Sequence, residues 1–171
     1  MHQRILIIGC SGSGKSTLSR QLQTLTNLPV VHLDRLFWLP NWEQKDRALF
    51  IEELTHELKQ SRWIIDGNFD STLELRLSYA DLVIFLDYSR ITCVKGVVKR
   101  YLRYRGTTRE DMGDSCEEKL DWAFLKYVWT FNQHSKQNIS KQLQHATVDS
   151  VVFKNRKQLN GWLKAYAQNG R

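Results

Sequence analysis

The segment "ILIIGCSGSGKSTLSRQL", Ile5 to Leu22, constrains the fold more than any other part of the chain. Four consecutive apolar residues, Ile5 to Ile8, read as a strand buried on both faces. A glycine-and-serine turn and a lysine follow, and Leu18, Leu22 and Leu25 are then spaced for one face of a helix over Lys15 to Thr26. Gly9, Gly14, Lys15 and Ser16 complete the pattern G-x-x-x-x-G-K-[ST] in the strand–loop–helix context that gives it meaning. Such a loop turns successive backbone N–H groups inward at the positive end of a helix, so it is built to hold an anion. The phosphate-binding candidates for ATP are Gly9, Ser11, Gly12, Ser13, Gly14, Lys15, Ser16 and Thr17. In that arrangement Lys15 bridges the outer phosphates and the Ser16 hydroxyl ligates Mg²⁺.

The rest of the chain alternates in the same way. Apolar runs predict strands over Pro29 to Leu33, Arg62 to Asp66, Asp81 to Asp87 and Ser150 to Lys154. Helical spacing predicts helices over Glu43 to Gln60, Arg90 to Arg105, Glu117 to Gln137 and Lys157 to Ala167. The third of these carries Leu120, Phe124, Tyr127, Val128 and Phe131 on one stripe. Strands that are apolar throughout and separated by helices indicate a parallel sheet covered on both faces, a three-layer α/β fold. No repeat or linker divides the chain, so residues 1–171 read as one domain. In such sheets ligands bind beyond the carboxyl ends of the strands. Gly9 to Thr17, Asp34, Asp66 to Asn68, Asp87 and Asn155 stand there.

Composition narrows the class. The chain is 42% hydrophobic and 25% charged with 9 Gly and 2 Pro, which excludes fibrous and disordered types. Its longest apolar runs fall far short of the roughly 20 residues that span a bilayer, and no signal-peptide core follows the N-terminus, so a cytoplasmic location is expected. Cys10, Cys93 and Cys116 are widely spaced and form no metal or redox pair, and Cys10 reads as a small filler within the glycine loop. The histidines show no metal-binding spacing, and His32 reads as packing inside a strand. The net charge of +7 suits anionic ligands, nucleotides and nucleic acid alike.

Distribution says more than the total. Lys95, Lys99, Arg100, Arg103, Arg105 and Arg109 follow one another with no acid between Lys95 and Arg109. This run fits a lid whose arginines reach a phosphoryl group as a site closes. It also fits a solvated basic helix, or, with Lys154, Arg156, Lys157 and Lys164, a nucleic-acid face. Phe37, Trp38 and Trp42 cluster around Pro40, where they either stack on a ligand ring or fill the core. The chain has no N-K-x-D for guanine and no L-S-G-G-Q of transporter ATPases. A small kinase, or an ATPase acting on a partner, remains.

Four stretches carry a resemblance: "GCSGSGKSTLSRQL", "VVHLDRLFWLPNW", "WIIDGNFDSTLELRLSYADLVIFLDYSR" and "RYLRYRGTTREDMGDSCEEKLDWAFLKYVW". Together they resemble the adenylate-kinase-related P-loop proteins often labelled "DNA topology modulation protein", or FlaR-related, over nearly the whole chain. Within the wider superfamily the chain is similar to nucleoside monophosphate kinases, shikimate kinase and gluconate kinase. The resemblance implies a five-stranded parallel sheet in the order 2-3-1-4-5, an acceptor-binding flap at about 35–60 and a lid at about 100–118. It implies that Asp66 holds Mg²⁺ with Ser16 and that Asp34 orients or deprotonates an attacking hydroxyl. Asn68 stands where related kinases contact the acceptor, Arg76 is a candidate clamp for an acidic acceptor, and Arg100, Arg103 and Arg109 are the lid arginines that stabilise transfer with Lys15. The proline and arginine that follow Gly67 in the adenylate-kinase pattern are missing here. Adenine is expected between the base of the lid and the loop near Asn155 and Arg156, and Asp87 reads as a structural strand end. The implied activity is transfer of the γ-phosphoryl group of ATP to a small-molecule acceptor, as a monomer or homodimer. The alternative is an ATP-regulated DNA-binding protein without kinase activity.

Overall fold

The structure, a computed structural model, describes residues 2–168. Five parallel strands form its central sheet: β1 (Arg4–Gly9), β2 (Val30–His32), β3 (Trp63–Asp66), β4 (Leu82–Leu86) and β5 (Asp149–Phe153). Their spatial order is 2-3-1-4-5, as the family resemblance implies. The three central strands are almost wholly buried, which is why they read as unbroken apolar runs and not as alternating ones. Register fixes the functional edge. His32 pairs with Asp66, and Asp66 with Ile7, so the carboxyl ends of β2 and β3 lie in one row beside the loop that leaves β1.

Helices cover both faces: α1 (Lys15–Thr26), α2 (Leu33–Phe37), α3 (Arg47–Leu58), α4 (Leu73–Leu77), α5 (Arg90–Tyr104), α6 (Trp122–His145) and α7 (Arg156–Gln168). Side-chain caps start several of them. Asp46 accepts from Ala48 N and Leu49 N, Ser89 from Thr92 N, and Asp121 from Phe124 N. Among the described residues no helix is long and apolar enough to cross a membrane.

Several boundaries depart from the sequence reading for visible reasons. The helix expected from Glu43 starts at Arg47, because Glu43 and Gln44 pair with Leu39 and Trp38 in a small antiparallel ladder. Its turn takes Asn41 and Trp42 through left-handed backbone at φ 64° and 66°. The helix expected from Glu117 starts at Trp122, because Glu117 and Glu118 bridge to Thr108 and Arg105 before Asp121 can cap. It also runs past Gln137 to His145, burying Val128, Phe131, Ser135 and Ile139. Leu25 and Tyr127, expected on core faces, are 41% and 46% exposed.

Glycine lets α5 lie directly on the phosphate loop. A Cβ on Gly96 would stand 2.0 Å from Gly12 O, and one on Gly12 would stand 2.2 Å from Cys93 O. Two backbones therefore touch where any side chain would separate them.

Candidate active site

Backbone of the β1–α1 turn frames the site. Ser13 N donates to Cys10 O and Leu18 N to Gly14 O, which closes the loop onto the first turn of α1. Lys15 Nζ lies over this loop, donating to Gly9 O at 3.0 Å and to Cys10 O at 3.2 Å. Asn68 Oδ1 accepts from Gly9 N at 3.4 Å, and Asn68 Nδ2 donates to Asp70 at 3.0 Å, so Asn68 ties the loop after β3 to the phosphate loop. The Ser13 hydroxyl is buried and has no hydrogen-bond partner among the described residues. Cys10 is buried with its thiol directed at Val128 O.

Acidic groups converge beside this loop. Asp66 accepts from Ser19 Oγ at 2.8 Å through one oxygen and meets His32 Nδ1 at 2.9 Å through the other. His32 is thus a partner of the strand-end carboxylate and not the packing residue expected of it, because the β2–β3 register sets the two side by side. Burial alone would lower the imidazole's pKa, but the bond to Asp66 and its charge raise it above the ordinary value. Burial raises the Asp34 carboxyl, with Asp66 and Asp111 pushing the same way and Lys15 opposing them. Burial would raise Asp111 too, yet Arg109, the Ser16 hydroxyl and His32 together hold it below its usual range.

Hard oxygen donors from Ser16, Asp66 and Asp111 suit Mg²⁺, which is commonly held by one or two carboxylates plus phosphate oxygens and water. No cluster of three or more His, Cys, Asp or Glu fit to hold a metal ion occurs among the described residues.

Beyond α5 the chain folds back over the cleft. Glu118 is buried and accepts from Arg100 Nε at 2.7 Å on one oxygen, while Arg109 Nε lies 3.3 Å from the other as an ion-pair contact without a hydrogen bond. Arg109 also lies 3.5 Å from Asp111. The Arg100 guanidinium sits 5.7 Å from the centre of the Phe124 ring. Across the cleft Trp42 Nε1 donates to Glu117 O at 3.0 Å, and the Cys116 thiol reaches Leu39 O at 3.3 Å. The stretch after α5 and the Trp38–Gln44 hairpin thus meet each other.

Two cavities result. The first, about 410 Å³, runs from Ser11–Leu18 past Asp66 and Asp111 to Tyr88, Lys99, Arg103 and Arg156. The second, about 760 Å³, lies under the hairpin and is walled by Trp38, Trp42, Phe69, Phe124 and Tyr127. Ser11, Lys15, Asp34, Arg100 and Arg109 line both. The structure therefore brings Ser11 to Thr17, Asp34, Asp66, Arg100, Arg103 and Arg109 to the first cavity and Asn68 to the second, while Gly9 lines neither. Arg156 lines the first cavity, while Asn155 caps α7 by accepting from Gln158 N.

Arg76 corrects the sequence reading. It is fully buried and donates from Nε, Nη1 and Nη2 to Thr72 O, Gly67 O and Phe69 O, so its guanidinium staples the loop after β3 and reaches neither cavity. Burial lowers its pKa to about 9, with Asp70 opposing. Asp87 is a strand end held by Lys136 at 2.9 Å and by Lys154. Asp111 and Glu118 escaped the sequence reading, although the acids Glu110, Asp111, Asp114, Glu117 and Glu118 follow the basic run at once. That abrupt change of sign was the available signal.

Comparison with known protein families finds no match, and neither does comparison with curated proteins. Among solved structures the chain is similar to shikimate kinase from Bacteroides thetaiotaomicron, with a TM-score of 0.52 and 16% identity over 98% of each chain. At that identity the likeness is one of fold, a P-loop α/β architecture traversed from end to end.

Proposed function

We propose that the chain is an ATP-dependent phosphotransferase that moves the γ-phosphoryl group of ATP onto a hydroxyl of a small-molecule acceptor. The observation that carries this reading is the junction of the two cavities at Lys15, Asp34, Arg100 and Arg109. A nucleotide on the phosphate loop would place its terminal phosphate there, and an acceptor in the second cavity would bring its hydroxyl to the same place. The neighbouring shikimate kinase is named for such a transfer, which lends the reading support at the level of fold.

In this mechanism the backbone of Gly9 to Thr17 holds the phosphates. Ser16 and Asp66, joined by Asp111, would hold Mg²⁺, which when bound neutralises charge on the outer phosphate oxygens. Asp34 accepts the proton of the acceptor hydroxyl, and its raised pKa suits that task. The acceptor oxygen forms a bond to the γ-phosphorus as the bond to the β–γ bridging oxygen breaks, leaving ADP. Lys15, Arg100, Arg103 and Arg109 stabilise the charge that spreads over the phosphoryl oxygens. The segment at about 100–118 acts as the lid and that at about 35–60 as the acceptor flap of one kinase domain.

The rival reading of an ATP-regulated DNA binder draws less support. Arg100 and Arg109 lie against the Glu118 carboxylate inside the cleft, which removes them from an outward basic face. Phosphate transfer from labelled ATP and Mg²⁺ to a panel of alcohols, with Lys15→Ala as the blank, tests the proposal. A labelled product absent from the blank is expected. Salt-sensitive binding of duplex DNA with no transfer would favour the rival.

A further inference from the structure

The second cavity says what kind of acceptor it takes. Of the aromatic residues that follow β2, Phe37 belongs to the core, 5.2 Å from Phe50 and 4.8 Å from Phe69 between ring centres. Trp38 meets Phe37 edge to face at 5.0 Å and 82°, and both Trp38 and Trp42 are half-buried and line the cavity. Their rings meet edge to face at 5.5 Å and 68°. Edge-to-face contacts leave part of each indole uncovered on the cavity side, and that part can take a further ring. Phe124 and Tyr127 stand on another wall, stacked on each other at 6.4 Å.

Charge points the same way. An acceptor bearing a phosphate or carboxylate needs cations that are free to pair with it. Arg100 and Arg109, held beside Glu118, are the cations given above to the transferred phosphoryl group, and Arg76 is buried with backbone carbonyls. Apart from Lys15, which serves the phosphate loop, Lys119 is the cation that remains among the described lining residues, and Asp70 and Asp121 line the same space. Gln44, Asn68 and Asp70 there present amide and carboxylate groups, which suit the N–H donors and acceptors on the edge of a heterocycle.

We infer that the acceptor is an uncharged, ring-bearing alcohol of the nucleoside class, with its base against Trp38 and Trp42 and its hydroxyl at Asp34. This rests on the phosphotransferase reading above. The transfer is then from ATP to a nucleoside hydroxyl, giving ADP and a nucleoside monophosphate, with the hydroxyl proton passing to Asp34. Stacking is tolerant of base identity, so several bases are accepted.

The test supplies ATP and Mg²⁺ with adenosine, guanosine, cytidine, uridine and thymidine, with their 5′-monophosphates, and with shikimate and gluconate as hydroxy acids. Transfer to nucleosides in preference to the charged members is expected. Trp38→Leu should raise the nucleoside KM roughly tenfold or more while leaving the KM for ATP unchanged, and Trp38→Phe should stay near wild type. Trp42→Leu repeats the measurement should Trp38→Leu fail to fold. Transfer that prefers the monophosphates or the hydroxy acids overturns the nucleoside assignment and leaves the phosphotransferase reading standing. Where nothing is phosphorylated, calorimetric titration of each nucleoside, with a non-hydrolysable ATP analogue filling the first cavity, separates the two claims. Binding that Trp38→Leu abolishes upholds the nucleoside site and overturns transfer; no binding overturns both.

Discussion

On its phosphate-loop side the cleft is framed by one uninterrupted run, Ser11 to Leu18, joined by side chains from elsewhere, whereas the proposed acceptor side is assembled wholly from stretches far apart in the chain. The hairpin around Trp38 and Trp42, the loop at Asn68 to Asp70, the segment from Arg109 to Asp121 and the start of α6 all contribute to it. On the first side the backbone recognises its ligand, and a backbone conformation is dictated locally by glycines at fixed spacing. On the second side recognition belongs to side chains, whose neighbours are set by the whole fold. A site of the first kind announces itself as a motif. A site of the second kind becomes visible when the distant pieces are placed together.

Asp34 sits where the two sides join, so its removal should have the largest effect. Asp34→Asn should lower kcat by about 10²–10⁴-fold with the KM for ATP little changed. The raised pKa of this carboxyl also places the acid limb of the wild-type rate profile above the ordinary carboxylate range, and rate should fall as pH drops through it. Linkage has the opposite sign for stability. The folded state binds the proton more tightly than the unfolded state, so stability declines as pH rises from the unfolded pKa through the folded one. Asp34→Asn should therefore be more stable than wild type at neutral pH, as read by urea unfolding. A variant that loses both rate and stability would show that Asp34 supports the fold and not the junction.

Lys15→Ala comes next and addresses the nucleotide side. A loss of about 10²–10³-fold in transfer is expected, together with weaker ATP binding, because the ammonium lies over the loop that holds the phosphates. A variant that keeps its ATP affinity would break the division between the two sides, since Lys15 would then act on the acceptor alone.

What was legible follows the same line. The strands, the phosphate loop and the strand-end Asp66 could be read because each depends on a contiguous pattern, an apolar run, a glycine spacing or a carboxylate closing a strand, whereas the sheet order came from the family resemblance. The partnership of His32 with Asp66 could not, because it arises from β2 lying beside β3 in one particular register. Arg76 looked like a surface clamp because α4 is too short to show a periodic face. Asp111 and Glu118 were hidden because their basic partners lie behind them in sequence and come to them only when the chain turns back after α5. The tryptophans posed a choice between packing and recognition that composition could not decide. The core takes Phe37 and leaves Trp38 and Trp42 lining the cavity.

Gly96→Ala probes how the rigid side is supported. A methyl group there would stand 2.0 Å from Gly12 O, so either α5 or the phosphate loop must shift. The expected cost is about 1–3 kcal/mol in unfolding free energy from overpacking, reduced by the helix propensity that alanine adds. A lower urea midpoint should accompany weaker ATP binding, because the strained contact lies on the loop itself. Stability lost with ATP affinity intact would mean that α5 yields and the phosphate loop keeps its shape without it.

Trp122→Ala should have the smallest effect, and its value lies in that. Trp122 is 85% exposed, opens α6 directly after the capping residue Asp121, and lines neither cavity. It lies two residues before Phe124, which does line the acceptor side, and is as large and apolar as Trp38. Surface substitutions of this kind change stability by no more than about 0.5 kcal/mol, and neither substrate's KM should move. If Trp122→Ala raised the acceptor KM as Trp38→Leu is expected to, position in the cavity would not be what distinguishes the tryptophans. The acceptor would then lie across the outer end of α6, where Arg90 covers Trp129 at 4.4 Å on the same helix, and the charge argument built on Glu118 would no longer apply to it. An unchanged KM leaves the aromatic contribution where the fold separates it from the core, at the hairpin that closes over Asp34.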